Sequence, residues 1–197
     1  MRFFPPEISG KISLEFIKFF PYLIPKKKIN LKESNSFFKK PIIYGNLKFE
    51  NYLGIGAGLD KEGKYFASLG SLGFGFVEVG TFTPLAQPGN DRPRIKRINK
   101  EKSLINRLGF NNPGILQAVR NIRSNKNSFK GILGVSIGKN KNTKLEEAHK
   151  DYVFCLEKCF EISDYIAINI SSPNTEDLRR LSSDEYLENL LVEINHC

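Results

Sequence analysis

The chain has 197 residues, of which 40% are hydrophobic and 26% are charged, and its formal net charge is +9. This composition is typical of a globular protein with its own hydrophobic core and excludes an intrinsically disordered chain. Three cysteines and two histidines predict neither a disulfide scaffold nor a metal site, and no charge-free run near the N-terminus is long enough to span a bilayer.

The first 50 residues carry most of the net positive charge, with ten Lys and Arg against four Asp and Glu. Prolines at positions 5 and 6 favour a helix start, and apolar residues then recur near helical spacing: Ile8, Ile12, Phe16, Phe20 and Leu23. Three lysines follow at 26–28. An amphipathic helix that ends in a cationic cluster is typical of a segment lying on an anionic membrane surface, while the same stripe also suits packing on the main domain. We therefore separate a helical appendage, residues 1–40, from a main domain, residues 41–197.

The pI of 9.4 raises the question of a nucleic-acid partner. The basic residues form no zinc-finger spacing, no basic zipper and no aromatic RNA-binding signature. We therefore predict no nucleic-acid partner.

The main domain is predicted to alternate strands with helices after a short hairpin at 41–49. Strands are expected at 52–57, 76–80, 132–137 and 165–170, with helices at 62–69, 115–124, 145–160 and 183–194 and a small hairpin at 94–98 with 104–105. Apolar strands that alternate with helices indicate a parallel α/β sheet covered on both faces.

The spacing of the glycines excludes two nucleotide-binding folds. The glycines at 54, 56 and 58 do not have the dinucleotide fingerprint, and Asp60 stands where a phosphate would bind. Gly138-Lys139-Asn140 lacks the P-loop pattern. Polar residues cluster instead at the carboxyl ends of the predicted strands, where a (β/α)₈ TIM barrel holds its chemistry: Asp60, Lys61, Thr81, Ser136 and Asn169 to Asn174.

Three stretches each allow a functional and a structural interpretation. Residues 57–61 set small residues beside Asp60 and Lys61, where Lys61 either meets an anionic or electron-rich ligand or pairs with Asp60 at the surface. Residues 80–94 form a proline-rich loop, either an active-site rim or an ordinary connection. Residues 106–113 concentrate three amides and a guanidinium, which suits an amide-bearing ring or a turn that caps the next helix.

The segment 169–175 is the strongest candidate, because five hydroxyl or amide residues follow a buried apolar strand there. Ser172 has no evident histidine partner for a hydrolytic triad, since the chain holds only His149 and His196. A serine in this setting is better suited to moving a proton than to attacking a carbonyl.

Five ordered motifs together resemble the flavin-dependent dihydroorotate dehydrogenases, in their membrane-associated, quinone-using class. They are A-G-L-D-K at 57–61, G-T-x-T-P-x-x-Q-P-G-N-x-x-P-R at 80–94, N-R-x-G-F-N-N at 106–112, G-K-N-K at 138–141 and N-x-S-S-P-N-T at 169–175. The serine at 172 indicates this class, because the soluble class typically has a cysteine there. The N-terminal segment also suits this class, whose helical extension forms a quinone tunnel at the membrane surface.

The resemblance implies oxidation of dihydroorotate to orotate in pyrimidine biosynthesis, with hydride to FMN and electrons on to a membrane quinone. Ser172 would be the base and Thr175 a proton relay. The implied FMN contacts are Ala57, Gly58, Leu59, Asp60, Lys61, Thr81, Ser136 and Asn169. The implied substrate contacts are Lys61, Asn106, Arg107, Leu108, Gly109, Phe110, Asn169 and Asn174. Residues 5–28 would hold the protein peripherally at the cytoplasmic side of the membrane.

Three departures from the family pattern qualify this assignment. Ser136 stands where the family usually has Asn, and Gly10 stands where a histidine is common. The main domain also has about 150 residues, against roughly 250 for a TIM barrel. We therefore expect only about four βα units, and weak or no FMN binding by the 197-residue polypeptide alone. The alternative is a non-catalytic, truncated or split-gene remnant whose helix still binds a membrane surface.

Overall fold

The computed structural model describes residues 4–20, 41–175 and 178–197. Its strands are β1 (Ile42–Tyr44), β2 (Leu47–Phe49), β3 (Gly54–Ile55), β4 (Phe76–Phe82), β5 (Ile95–Ile98), β6 (Ser103–Asn106), β7 (Ile132–Ile137) and β8 (Tyr165–Ile168). Its α-helices are α1 (Pro6–Phe19), α2 (Phe66–Gly70), α3 (Ile115–Lys126), α4 (Ala148–Cys159) and α5 (Asp184–Asn195). Short 3₁₀ turns lie at Leu145–Glu147, Phe160–Ile162 and Leu178–Ser182.

The central sheet consists of four parallel strands in the order β3-β4-β7-β8. A helix follows each of these strands, so the chain forms four consecutive βα units, as predicted. Antiparallel hairpins β1-β2 and β5-β6 stand outside the sheet, and both were predicted. Because all four strands run in parallel, their carboxyl ends meet at one edge of the sheet.

The hydrophobic core lies on β4 and β7, the two inner strands. Val77, Val79, Leu133 and Val135 are fully buried, as expected for strands covered on both faces. Helices α3 and α4 each bury one stripe against them, at three- and four-residue spacings: Ile115, Ala118, Val119 and Ile122, and Ala148, Tyr152, Cys155 and Cys159. This rigid layer fixes where the loops at the carboxyl edge begin.

Three predicted boundaries were wrong. The strand expected at 52–57 is limited to Gly54–Ile55, because the chain turns sharply from Gly56 onward with Gly58 at a positive φ of 107°. The helix expected at 62–69 begins only at Phe66, because the preceding residues form a turn around the side chain of Asp60. The helix expected at 145–160 begins with a 3₁₀ turn.

Helix α1 packs on the main domain through one side only. Leu14 and Ile17 contact the core, while the predicted apolar stripe is exposed: Ile8, Ile12, Phe16 and Phe20. The prediction that this stripe packs on the main domain is therefore wrong for these four residues. Leu23 and the three lysines at 26–28 lie outside the described residues. No helix in the described part of the chain is long and apolar enough to cross a membrane.

Candidate active site

A buried polar cluster, which we call the hydroxyl–amide cluster, joins the carboxyl ends of β4, β7 and β8. It comprises Thr81, Ser136 and Asn169. The hydroxyl oxygens of Thr81 and Ser136 lie 2.9 Å apart, and the Asn169 amide donates to the Thr81 hydroxyl at 2.9 Å. Buried polar groups persist in a core only when they are paired, and this set is paired internally.

Three hydrogen bonds hold Asn169, two at its side chain and one at its main-chain carbonyl. Its Nδ2 group donates to Thr81, and its Oδ1 atom accepts the main-chain N–H of Ser171 at 3.2 Å. The Tyr152 hydroxyl donates to the Asn169 main-chain carbonyl at 2.9 Å. The amide therefore presents a defined donor and acceptor at the sheet edge, which predicts little reorganisation when a ligand binds.

The turn at 56–61 leaves open space beside the cluster. A Cβ atom added at Gly56 or at Gly58 would meet no atom of the described residues within 4 Å. The turn is tied to β4, because Gly58 donates to the Gly80 carbonyl and Gly80 donates to the Asp60 carbonyl, both at 2.9 Å. A rigid, side-chain-free wall of this kind allows a flat ring to approach the main chain.

The Asp60 carboxylate serves the fold. It is fully buried and accepts main-chain N–H groups from Glu62, Lys64, Tyr65 and Phe66 at 2.7 to 3.3 Å. It thus satisfies N–H groups at the start of α2 that would otherwise lack partners. Burial raises the pKa of this carboxyl, and the four N–H groups oppose that rise. The Asp60 carboxylate is occupied by these main-chain N–H groups. The predicted cofactor contact at Asp60 therefore cannot be made by a free carboxylate.

One interpretation of the sequence predicted an ion pair between Lys61 and Asp60. The structure does not contain that pair. The Lys61 ammonium group donates to Asn111 Oδ1 at 3.2 Å, which joins two of the predicted motifs across 50 residues of chain. Burial, with the nearby positive charge of Arg94, lowers the pKa of Lys61 to about 8. Lys61 also lines a cavity of about 780 Å³ between α1 and the main domain.

Helix α1 is joined beside the cavity to the loop at 80–94, which we call the rim loop, and to Tyr65 just before α2. Glu7 accepts hydrogen bonds from the guanidinium groups of Arg94 and Arg92, and the Tyr65 hydroxyl donates to Glu15. The Arg94 side chain is only 5% exposed. Its hydrogen bonds lower the pKa of Glu7, so the ion pair stays charged at neutral pH.

The segment 106–110, predicted to contact substrate, divides into an exposed and a buried part. Asn106 and Arg107 are exposed, whereas Gly109 and Phe110 are buried. Phe110 has a positive φ of 52° and joins the hydrophobic core, with its ring close to Gly138. Asn106, the first residue of the segment, accepts a 3.4 Å hydrogen bond from the Asn174 side chain. Two predicted substrate residues are therefore adjacent.

The segment 169–175 places the predicted base near that pair. Ser172 is half-buried, and its hydroxyl accepts the main-chain N–H of Asn174 at 3.3 Å. Thr175 is 5% exposed, and its buried hydroxyl has no hydrogen-bond partner among the residues that the structure describes. A buried hydroxyl without a partner is costly, and such groups are concentrated at functional sites.

Two asparagines hold the loops together: Asn112, within the predicted 106–113 segment, and Asn140, to which sequence reasoning assigned no role. Asn140 donates to Thr83 Oγ1, the Leu85 carbonyl and Gln87 Oε1 at 2.9 to 3.1 Å. Asn112 donates to Thr83 Oγ1 at 2.9 Å and accepts the Gly114 N–H at 2.9 Å, just before α3. Asn112 thus forms a turn just before α3, but α3 has Gly114 as its N-cap and no side-chain cap hydrogen bond, so the capping interpretation of segment 106–113 is wrong for Asn112. In the described residues, no three His, Cys, Asp or Glu side chains are grouped as metal ligands.

A comparison with protein families shows the family of this chain. The family model for dihydroorotate dehydrogenase matches residues 42–196. The chain belongs to the dihydroorotate dehydrogenase family. A dihydroorotate dehydrogenase (quinone) of Coxiella burnetii (strain Dugway 5J108-111) is 45% identical over 190 residues, which is 96% of this chain and 53% of that protein. The same enzyme of Buchnera aphidicola subsp. Schizaphis graminum is 51% identical over 173 residues, 85% of this chain and 50% of that protein.

The solved structures agree with the family assignment. Ligand-free dihydroorotate dehydrogenase from Eimeria tenella has a TM-score of 0.84 and 31% identity, covering 97% of this chain and 52% of that chain. The ferulenol complex of the Eimeria enzyme has the same TM-score and identity. The predicted TIM-barrel class, with about four βα units in this chain, is confirmed. The chain spans about half the length of the dihydroorotate dehydrogenases (quinone) that it matches.

Proposed function

We propose that this chain forms the dihydroorotate-oxidising site of a quinone-dependent dihydroorotate dehydrogenase, with FMN as its cofactor and pyrimidine biosynthesis as its pathway. The observation that carries the proposal is the hydroxyl–amide cluster beside the open turn at 56–58, within the region matched by the family model. Lys61, Ser172 and Asn174 belong to loops that follow strands of the sheet, and Asn106 is the last residue of β6.

The residues present fit a flavin. The Gly56–Gly58 turn leaves space next to the main chain, and Thr81, Ser136 and Asn169 supply hydroxyl and amide groups for a ring rich in donors and acceptors. Ala57, Gly58, Leu59, Lys61, Thr81, Ser136 and Asn169 are the proposed flavin contacts, with Asp60 contributing only through its main chain. Bound there, the flavin would supply the hydride acceptor for C6 of dihydroorotate.

Amide groups from three loops would hold the pyrimidine ring. Asn106 and Asn174 are hydrogen-bonded to each other in this structure, so both amides face one space. Asn169 contributes from the end of β8, and segment 106–110 forms one wall. The Lys61 ammonium would attract the substrate carboxylate. These groups act by orientation, which holds the ring in a reactive position and lowers the entropic barrier.

Ser172 would take the proton from C5 of dihydroorotate. A serine hydroxyl is a weak base in water, so the reaction requires a site closed to solvent and a group that receives the proton. Thr175 suits that second role, since its buried hydroxyl has no hydrogen-bond partner within residues 4–20, 41–175 and 178–197. The proton would pass from C5 to Ser172 and on toward Thr175, while the hydride leaves C6.

Helix α1 and the cavity beneath it suit a lipophilic electron acceptor. The cavity of about 780 Å³ is lined by apolar residues of α1, by Leu59 and Leu108, and by Lys61, so it opens toward the proposed flavin site. The exposed apolar face of α1 would lie on the cytoplasmic surface of the membrane, where quinones are dissolved. Residues 5–28 are the proposed membrane segment.

Purified protein from the complete gene provides the test. We expect bound flavin, visible by its absorbance, and dihydroorotate-dependent reduction of a soluble quinone. Ser172→Ala should retain flavin but lose at least about 100-fold in kcat, the usual contribution of a positioned base. Ser128→Ala, which removes an exposed hydroxyl beyond the end of α3, should be unchanged. Absence of flavin and of dihydroorotate oxidation in the wild-type protein would overturn the proposal.

A further inference from the structure

Asn90, in the rim loop between β4 and β5, contacts both segments proposed to hold the substrate. Its side-chain amide donates to the Arg107 carbonyl at 3.0 Å and to the Asn174 carbonyl at 3.3 Å. Its main-chain N–H donates to the Leu108 carbonyl at 3.0 Å. One residue thus joins the rim loop, the 106–110 wall and the loop of Ser172.

We propose that Asn90 is a positioning residue for the substrate side of the site, with its amide holding segment 106–110 against the Ser172–Asn174 loop. The inference rests on the proposed function and deepens it. It gives the rim loop a role in substrate binding, which neither the motif analysis nor the proposed mechanism assigned to it.

Two glycines permit the close approach that this role requires. A Cβ atom at Gly89 would lie 2.3 Å from the Leu108 carbonyl oxygen, and one at Gly109 would lie 2.8 to 2.9 Å from the Asn90 side chain. Both glycines have a positive φ, 77° and 71°. The rim loop and the substrate wall are therefore in direct contact because neither glycine carries a side chain.

Arg94 fixes the main chain of Asn90 from the opposite side. Its guanidinium donates to the Asn90 carbonyl at 3.2 Å and to the Pro88 carbonyl, and it is bound in turn by Glu7 of α1. Because Arg94 is almost fully buried, its position is set by packing as well as by charge. The Asn90 amide is consequently presented to its two acceptors by a rigid loop.

The position of Asn174 connects this arrangement to the chemistry. Its carbonyl is bound by Asn90, its side chain reaches Asn106, and its N–H is bound by the hydroxyl of Ser172. A shift of Asn174 would therefore displace a substrate amide and the proposed base together. Loss of the Asn90 donors should weaken substrate binding while the hydroxyl–amide cluster at the strand ends stays intact.

Asn90→Asp is the sharpest variant, because it keeps the shape of the side chain and replaces both donors by an anion that faces two carbonyl oxygens. The matched control is Asn99→Asp, which makes the same change at the exposed turn between β5 and β6. In protein from the complete gene, we expect Asn90→Asp to raise the KM for dihydroorotate and the Kd for orotate about tenfold, as for the loss of two hydrogen bonds. Flavin content should equal that of wild type, and kcat should fall as well, because the proposed base Ser172 is hydrogen-bonded to Asn174 and moves with it.

Hydrogen exchange supplies a second readout that does not depend on turnover. Amides in 104–110 and 172–175 should exchange faster in Asn90→Asp, while β7 and the Asn99→Asp control should match wild type. If Asn90→Asp fails to fold, Asn90→Ser, which shortens the side chain without adding charge, takes its place.

The outcomes separate this inference from the proposed function. Unchanged KM and orotate affinity in an active protein would overturn the role of Asn90 alone. A parallel loss of flavin, kcat and thermal stability would also overturn it, because it would show a merely structural residue. Wild-type protein that binds neither flavin nor orotate would overturn the proposed function, and the positioning role with it.

Discussion

Thr81 and Ser136 meet between β4 and β7, with their side-chain hydroxyl oxygens 2.9 Å apart. Both residues are buried, and Asn169 adds its amide from β8, so one polar layer crosses three neighbouring strands. A single hydroxyl removed from this layer leaves a neighbour with an incomplete set of partners. The layer therefore links the stability of the sheet edge to its capacity to bind a ligand.

Ser136→Ala should lower the free energy of unfolding by about 1 kcal/mol, the net value of a typical buried hydrogen bond. Flavin affinity should fall as well, because the Thr81 hydroxyl loses the partner that orients it. Urea denaturation measures the first effect and flavin titration the second. Ser124→Ala, at an exposed position on α3, is the control and should change stability by less than about 0.5 kcal/mol. A Ser136→Ala protein of wild-type stability and affinity would contradict this prediction.

Asp60→Asn should destabilise the protein by about 2 to 4 kcal/mol without any ligand present. The carboxylate accepts four N–H groups, and an asparagine amide would face Tyr65 N–H or Phe66 N–H with a donor of its own. Thermal and urea unfolding check the magnitude. Asp91→Asn makes the same chemical change at an exposed position and should be nearly neutral. Equal stability of the two variants would show that Asp60 does not support α2.

The sequence predicted the layers of the fold because burial imposes a pattern on it. Strand β7 was predicted at its observed bounds, since a strand covered on both faces needs a continuous apolar run. The polar residues at the strand ends could be predicted equally well, because Thr81 and Asn169 interrupt continuous apolar runs. Element type and the edge that carries the site therefore follow from local sequence.

Contacts between distant loops could not be predicted in the same way. Lys61 stands next to Asp60 in sequence, yet its partner is Asn111, while the Asp60 carboxylate turns toward Phe66 N–H. Which of these pairs forms depends on how α2 and the 106–113 segment pack. Asn90 shows the same limitation, since its acceptor at Asn174 is 84 residues away. Side-chain roles in loops are set by the assembled edge of the sheet.

Orotate binding should weaken as the pH rises from 7 to 9, because burial lowers the pKa of Lys61 to about 8. Below that value the amine carries the charge that attracts the ligand carboxylate, and above it the charge is lost. Since the usual value is 10.5, the folded protein holds this proton less tightly than the unfolded chain, and stability contributed by Lys61 increases between pH 8 and 10.5. Orotate titration across this range measures the first effect.

Lys61→Arg is the control for this pH dependence, because guanidinium remains charged throughout the range. Its orotate affinity should be lower than that of wild type at pH 7 but flat between pH 7 and 9. A wild-type profile that is equally flat would contradict the assignment of Lys61 to the substrate carboxylate.

The exposed face of α1 should bind anionic membranes directly. Ile12→Glu combined with Phe16→Glu puts two negative charges on that face, which removes apolar area from the contact and repels anionic lipid. We expect at least about tenfold weaker binding to phosphatidylglycerol vesicles in a flotation assay. Leu104→Glu combined with Leu116→Glu changes two exposed leucines of the main domain and should bind as wild type does. Equal loss in both double variants would show that net charge, and not α1, determines the interaction.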